Sequence, residues 1–177
     1  SMILDVTGDS LHAMFLDDTG SVIDHFDLVK PASSMTVPLK IALQGPYDPL
    51  TGSMRDDLRT TGSIPLTEPY SELGLIVGAS PETIDPAILL ITGPSAIVDW
   101  VLVELRAKGD PASVLASRAA LVRRDGQVVD VDGLSPIAFP VPVGEYHVAV
   151  QHRNHLGVMT ASPLRLNHVP GYLDLTD

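Results

Sequence analysis

The stretch Ile97-Val98-Asp99-Trp100-Val101-Leu102-Val103-Glu104-Leu105-Arg106 decides the fold class of this 177-residue chain. Alternate residues of a β-strand point to opposite faces of the sheet. One face of this strand would carry Val98, Trp100, Leu102 and Glu104, and the other Asp99, Val101, Val103 and Leu105. Both faces are largely apolar, which is typical of a central strand that is covered on both sides. The stretch therefore predicts a sheet with two packed faces.

Other parts of the chain carry strand signals at short spacing. The turn Arg124-Asp125-Gly126 lies between two apolar runs and predicts a hairpin. The run before it, 113–122, fits a helix or a strand, and its second half favours a strand. Residues 143–152 and 158–166 alternate around a turn. Because no helical patterns lie between these runs, we predict an all-β fold, an antiparallel β-sandwich of the immunoglobulin-like, prealbumin-like or jelly-roll type.

Proline and glycine divide the chain into segments. Residues 1–36 begin with a short apolar strand, Ile3 to Val6, and continue with two apolar runs around an Asp-Asp-Thr-Gly turn. They predict an N-terminal β-hairpin, either part of the same sandwich or a separate piece. Residues 37–166 would form the main sandwich, and residues 167–177 a tail. A long irregular excursion, 44–94, interrupts the sandwich. Its apolar side chains predict a packed cover and are Leu66, Tyr70, Leu73, Leu75 and Ile76.

Composition excludes several classes of function. The formal net charge of −11 opposes phosphate backbones and predicts no nucleic-acid partner. The chain has no cysteine, which excludes disulfides, thiolate metal sites and a cysteine nucleophile. Apolar runs end well short of about 18 residues, so we predict no membrane insertion. Neither a nucleophile elbow nor a phosphate-binding glycine loop occurs, and we predict a protein that is not an enzyme.

The sharpest polar cluster is His152-Arg153-Asn154-His155. Two imidazoles three residues apart could bind a transition metal with Asp99 or His147, if a tight turn brings them together. The favoured interpretation is structural: Asn154 accepts a positive φ, and His152, Arg153 and Asn154 bond loop backbone. Asp99, in the core-like strand, needs a partner, and Arg153 and Arg106 are the candidates. Contact of Arg153 and Asn154 with a ligand is the third interpretation.

Two acidic loops are candidates for structural calcium. Asp130 and Asp132 precede a glycine as in part of a calcium loop, but the further acidic positions of such a loop are missing. A second acidic loop contains Asp48, Asp56 and Asp57. Ordinary turn chemistry is the competing interpretation of both. No other cofactor is predicted.

Two tyrosines raise the prospect of sugar binding. Tyr47 and Tyr70 both lie beside prolines in the irregular excursion, where they could form an exposed aromatic platform for a polysaccharide or other glycan. Trp100 lies in the central strand and is predicted to belong to the core.

Several motifs in fixed order carry a family resemblance. They are GPYDPLTGSM (45–54), IPLTEPY (64–70), VDWVLVELR (98–106), VVDVDG (128–133) and HRNHLGVMT (152–160). Over residues 37–166 the chain resembles an uncharacterised β-rich module of large secreted or surface proteins of bacteria. The resemblance implies export, a modular parent protein whose other domains are the partners, and a structural or adhesive role without catalytic residues. The alternative is a carbohydrate-binding module attached to an extracellular enzyme or adhesin.

Overall fold

The structure is a computed structural model, and it describes residues 1–7, 10–29, 34–76, 81–167 and 171–176. The chain forms two compact units, Ser1–Ser33 and Ser34–Asp177. The first unit ends a few residues before the predicted boundary at residue 36. Each unit is described by itself below.

The first unit is a three-stranded antiparallel sheet, made of the predicted hairpin and the short strand predicted before it. Its strands are β1 (Met2–Thr7), β2 (Ser10–Leu16) and β3 (Val22–Val29), in the order β1-β2-β3. The turn between β2 and β3 is held by Asp17, whose carboxylate accepts hydrogen bonds from the backbone N–H groups of Thr19 and Ser21. This Asx-type turn matches the Asp-Asp-Thr-Gly signal in the sequence.

The second unit contains most of the strands. They are β4 (Met35–Val37), β5 (Leu39–Lys40), β6 (Tyr47–Asp48), β7 (Ser53–Met54), β8 (Ile97–Ala107), β9 (Asp110–Arg123), β10 (Gln127–Val129), β11 (Ile137–Phe139), β12 (Gly144–His152), β13 (His155–Met159), β14 (Leu164–Leu166) and β15 (Leu173–Asp174). The helical segments are short: α1 (Asp57–Thr60) and two 3₁₀ turns, Pro86–Leu90 and Gly93–Ser95. In the described part of the chain, no helix has the length and apolar character needed to cross a membrane.

The largest sheet has the order β13-β12-β8-β9-β10-β5-β15, with β14 also paired to β12. Its pairs are antiparallel except β15 with β5, which is parallel. Two small sheets, β4–β11 and β6–β7, complete the unit. A cavity of about 400 Å³ is lined both by Val158 of β13 and by Leu175 beside β15, so the large sheet curls and its two edges approach. The predicted all-β, sandwich-like fold is confirmed.

The structure changes the interpretation of two segments. The predicted tail contains β15, whose Leu173 pairs with Leu39 and packs against the main core. The run 113–122, ambiguous in sequence, lies wholly within the long strand β9. The Asp-Gly hairpin then joins β9 to β10, and Gly126 has a φ of 87°. A Cβ at Gly126 would lie 2.7 Å from the carbonyl oxygen of Ile41, so both the turn and the neighbouring backbone require glycine here.

Strand β8 separates two hydrophobic cores. One core contains Val101, Val103 and Leu105, and the other contains Trp100 and Leu102, as the alternation predicts. Val98 departs from the prediction, because it packs in the first core rather than beside Trp100. The register of β8 against β9 shifts between Ile97 and Asp99, and this β-bulge reverses the alternation at the start of the strand.

The irregular excursion covers the second core, but with different side chains from those expected. Tyr70 is buried as a cover residue should be, and Ile76 packs partly against the core. Three predicted cover residues are instead exposed: Leu66, Leu73 and Leu75. Ile64 and Ile84 take their place in the core. The prediction that this segment covers a core was correct. The prediction of which side chains point inward was mostly wrong, because an irregular backbone has no periodicity that would identify them.

Candidate functional site

A buried carboxylate organises the sequence-predicted polar cluster. Asp99 is only 1% exposed. Its Oδ1 accepts hydrogen bonds from the backbone N–H of Trp100 at 2.8 Å and from Arg153 at 3.0 Å. Its Oδ2 accepts from Nε2 of His152 at 3.1 Å and again from Arg153 at 3.0 Å. Arg153 is therefore the partner of Asp99, while the other candidate, Arg106, pairs with Glu104.

The two imidazoles continue this network towards a neighbouring loop. Nδ1 of His152 accepts from the backbone N–H of Asn154 at 3.1 Å and lies 2.8 Å from Nδ1 of His155. Nε2 of His155 accepts from the backbone N–H of Gly45 at 3.2 Å. A ring nitrogen that accepts a hydrogen bond carries no proton. The pattern therefore assigns the proton to Nε2 in His152 and to Nδ1 in His155, with both rings neutral.

The electrostatics agree with these protonation states. Burial alone would raise the pKa of Asp99, but hydrogen bonds from His152 and Trp100 and the charge of Arg153 outweigh it, and the pKa is lowered. Burial lowers the pKa of His155, with a further lowering from His152, while Asp99 acts in the opposite direction. These directions agree with an ionised Asp99 carboxylate and a neutral His155 ring.

The cluster ties together segments that are distant in sequence. It joins the start of β8, the β12–β13 turn and the loop after β5, which Gly45 supplies. A Cβ at position 45 would lie 2.9 Å from Nε2 of His155, so the loop approaches the ring as closely as a glycine permits. A cavity of about 200 Å³ reaches the same side chains and is lined in part by Leu43, Pro46 and Leu58. We refer to Asp99, His152, Arg153, His155 and the Gly45 backbone as the clasp.

Several sequence-based expectations for this region need correction. Asn154 was expected to accept a positive φ, but within the described ranges no residue other than glycine has one. The transition-metal interpretation required free ring nitrogens, and those of His152 and His155 are occupied by hydrogen bonds. His147 lies apart from them, with Nδ1 3.0 Å from the carbonyl oxygen of Thr160. Across the residues that the structure describes, no three His, Asp or Glu side chains converge on a metal position.

The two aspartates of the first candidate calcium loop serve different partners. Asp130 faces Arg118, at 2.7 and 2.8 Å from its two oxygens. Asp132 accepts hydrogen bonds from the backbone N–H groups of Leu134 and Ser135 and closes a turn. An arginine already supplies positive charge to Asp130, and Asp132 follows ordinary turn chemistry. Each carboxylate thus has a protein partner of its own, and among the described residues neither belongs to a group of three or more acidic or histidine side chains that could hold a metal ion.

Arg118 forms a second buried ion cluster that the sequence analysis did not single out. Besides Asp130, it donates to Oε1 of Glu82 at 2.8 Å and to the carbonyl oxygen of Ala138 at 2.8 Å. The side chains of Arg118, Glu82 and Asp130 are at most 20% exposed. Burial raises the pKa of Glu82, Asp130 and Glu68 raise it further, and Arg118 opposes them. The sequence did carry a signal for this cluster: Arg118 lies inside an otherwise apolar strand, and a buried arginine needs an acidic partner.

The two tyrosines have different environments. Tyr70 is 1% exposed, and its hydroxyl donates to the carbonyl oxygen of Trp100 at 3.0 Å. The expectation that it forms an exposed platform is wrong, because its ring completes the second core. Tyr47 is 42% exposed and lines a cleft of about 380 Å³ together with polar side chains. Those polar neighbours are Lys40, Gln44, Ser53, Arg124, Asp125 and Thr176.

Comparison with known proteins adds no identity: no family model, curated protein or solved structure matches the chain.

Proposed function

We propose that this chain is a non-catalytic structural or adhesive module of a larger exported bacterial protein. The observation that carries the proposal is the hydrogen bonding of the clasp. Both oxygens of Asp99 and all four ring nitrogens of His152 and His155 are occupied within the module. General acid–base or metal chemistry needs a lone pair or a proton directed at a substrate. In the clasp these groups instead hold one loop, one turn and one strand together.

Export is the part of the proposal that depends on the family resemblance, and it has a direct test. Antibodies against the purified chain should label intact cells of the source bacterium, or detect the parent protein in its culture medium. An antibody against a cytosolic enzyme serves as the control and should give a signal only after lysis. Labelling that appears only after lysis would contradict export.

Carbohydrate binding is a second candidate, and the Tyr47 cleft favours it. An exposed aromatic ring offers an apolar face on which a sugar ring can stack, and surrounding amide, hydroxyl and charged groups can bond its hydroxyls. Tyr47 provides the ring, and Gln44, Asp125 and Arg124 provide hydrogen-bonding groups in the same cleft. Tyr70 takes no part in this candidate, since it is buried.

The sugar-binding candidate predicts a loss of affinity on substitution of Tyr47. A glycan array would identify a saturable ligand, and titration calorimetry would then compare Tyr47→Ala with the parent chain. We expect at least a tenfold weaker Kd, equivalent to about 1.4 kcal/mol. Tyr172→Ala is the matched control, because Tyr172 is also exposed and lies outside the cleft. An array without saturable binding, or equal losses in both variants, would remove this candidate.

A further inference from the structure

One hydrogen bond of the clasp depends on an unprotonated ring nitrogen. The backbone N–H of Gly45 donates to Nε2 of His155 at 3.2 Å. On its other side, the ring of His155 lies 2.8 Å from Nδ1 of His152, which also accepts from the N–H of Asn154 and so carries no proton. His155 therefore donates through Nδ1 and accepts through Nε2, and it can do both only as a neutral imidazole.

This hydrogen bond joins two separate parts of the second unit. We call residues 43–55 the Gly45 loop. The loop has hydrogen bonds of its own, such as that from the N–H of Tyr47 to the carbonyl oxygen of Leu43 at 3.0 Å. Near its end, the N–H of Met54 donates to a carbonyl oxygen of the β9–β10 turn at 2.9 Å. Among the described residues, the contact with His155 is the only hydrogen bond from this loop to the β12–β13 turn.

A proton from water can reach His155 without unfolding of the unit. Gly45 is exposed, and His155 is only partly buried and lines two cavities, of about 200 and 400 Å³. The larger cavity brings no charged side chain to the ring. The charged or titratable side chains around His155 come from β8, the β12–β13 turn and the Gly45 loop with the start of α1, and they are Asp99, His152, Arg153, Arg55 and Asp57.

We propose that the clasp is acid-sensitive, and that protonation of His155 at Nε2 releases the Gly45 loop from the β12–β13 turn. A proton taken from water turns Nε2 into an N–H group that faces the N–H of Gly45, so two donors oppose each other. Nδ1 of His155 keeps its proton and its contact with His152, so the ring stays on the turn. The charge of a histidine changes between about pH 5 and 8, so mild acid is sufficient.

The direction of the pH dependence follows from the surroundings of His155. Burial and the neighbouring His152 lower its pKa in the closed clasp, while Asp99 acts in the opposite direction. When the loop has moved away, the ring regains contact with water, and its pKa returns towards the ordinary value of about 6.5. The open state then binds more protons than the closed state. The closed state therefore loses stability as pH falls below that ordinary value.

Release of the loop would act on two cavities. The cavity of about 200 Å³, lined in part by Leu43, Pro46 and Val98, would open to solvent. The same loop carries Gln44 and Tyr47, which line the cleft of about 380 Å³. Mild acid should therefore change the shape of that cleft, whether or not it binds a sugar.

Amide exchange of the whole chain, followed by NMR, tests the proposal. After correction for the intrinsic pH dependence of exchange, the protection of the Gly45 N–H should fall at least about threefold between pH 7.5 and pH 5. The N–H of Tyr47, which is bonded within the loop, should change less. Spectra of the ring nitrogens should place the proton of His155 on Nδ1 at pH 7.5. Protonation of Nε2 and the loss of Gly45 protection should share one midpoint.

Two variants separate the effect of His155 from general effects of acid. His155→Gln places an amide oxygen near the position of Nε2, and because this acceptor does not titrate, Gly45 protection should become independent of pH. His25→Gln is the matched control, since it removes an exposed histidine of the first unit and should keep the wild-type profile.

Three results would overturn the proposal. The first is constant protection of Gly45 in the wild type, and the second is an unchanged pH dependence in His155→Gln. The third is a simultaneous loss of protection in β8, which would mean that the whole unit unfolds in acid. If His155→Gln fails to fold, the two midpoints in the wild type decide, and a difference between them would contradict the role of His155.

Discussion

Replacement of Asp99 by asparagine is expected to lower the free energy of unfolding of the second unit by about 3 kcal/mol or more. The substitution keeps the size of the side chain and removes its charge. Arg153 then loses its counter-ion, although its own side chain is only 26% exposed. Breaking a buried ion pair by removing one partner is costly, because the remaining charge lies in a poorly solvated site.

The amide cannot reproduce the hydrogen bonds of the carboxylate. Oδ1 of Asp99 accepts from Trp100 and Arg153, and Oδ2 accepts from His152 and Arg153. Either orientation of an asparagine side chain turns its NH₂ group towards donors. If His152 changed tautomer to accept from that group, its Nδ1–H would face the N–H of Asn154. A change of tautomer would therefore remove the donor–donor contact at position 99 only by creating another one, between Nδ1–H of His152 and the N–H of Asn154.

Thermal and urea unfolding would measure the effect. For a chain of this length, 3 kcal/mol corresponds to a decrease in Tm of about 6–12 °C. Asp57→Asn is the matched control, because Asp57 pairs with an arginine, Arg55, at a site where both side chains are more than half exposed. Exposed pairs contribute about 0–1 kcal/mol. Equal stability of Asp99→Asn and the wild type would contradict a structural role for the clasp and favour a binding or catalytic one.

Replacement of Arg118 by leucine is expected to cost about 3 kcal/mol at neutral pH. The variant leaves Glu82 and Asp130 close together without their shared counter-ion. In the wild type a single guanidinium donates to both carboxylates, and Oε2 of Glu82 has no hydrogen-bond partner among the residues that the structure describes. Leucine fills part of the volume but provides no hydrogen bond to either carboxylate or to the carbonyl of Ala138.

The loss in Arg118→Leu should depend on pH. Without the arginine, burial and the charge of Asp130 raise the pKa of the Glu82 carboxyl in the folded state further above its unfolded value. A group with a raised folded pKa binds more protons in the folded state, so its unfavourable contribution grows as pH rises through that window. The difference in Tm between Arg118→Leu and the wild type should therefore be largest near pH 7.5 and should shrink towards pH 5.

Melting curves across this pH range provide the measurement, and Lys108→Leu is the control. Lys108 pairs with Glu145 on the surface, where the two side chains are 60% and 45% exposed. We expect a change below about 1 kcal/mol, with little dependence on pH, for this variant. A deficit in Arg118→Leu that stays constant from pH 5 to 7.5 would show that packing, rather than charge, accounts for its effect.

Local sequence patterns were sufficient for the fold class and for the longest strands, but not for short strands such as β6, β7 and β15. The two-sided apolar alternation of β8 survives in the structure from Trp100 onward, and the Asp-Gly turn does join β9 to β10. Both signals depend on neighbouring residues, so they can be recognised without knowledge of the rest of the fold. A buried carboxylate needs a cation, which limited the partner of Asp99 to two candidates, Arg153 and Arg106, and the structure chose Arg153.

Contacts between distant segments were decided only by the tertiary structure. Tyr70 had two interpretations in the sequence, a buried cover residue and an exposed platform, and only the structure shows that its ring is buried against the segment that contains Trp100. Gly45 gave no sequence signal for the clasp, since its contact with His155 depends on where two separate loops meet.

By itself, then, the sequence determined that this chain is a β-protein with a two-sided central strand, because side-chain alternation is a local property of the backbone. The tertiary structure decided which polar groups are buried together, as in the clasp and around Arg118. Those pairings join residues far apart in the chain, and their cost or benefit depends on burial and geometry that no local pattern contains.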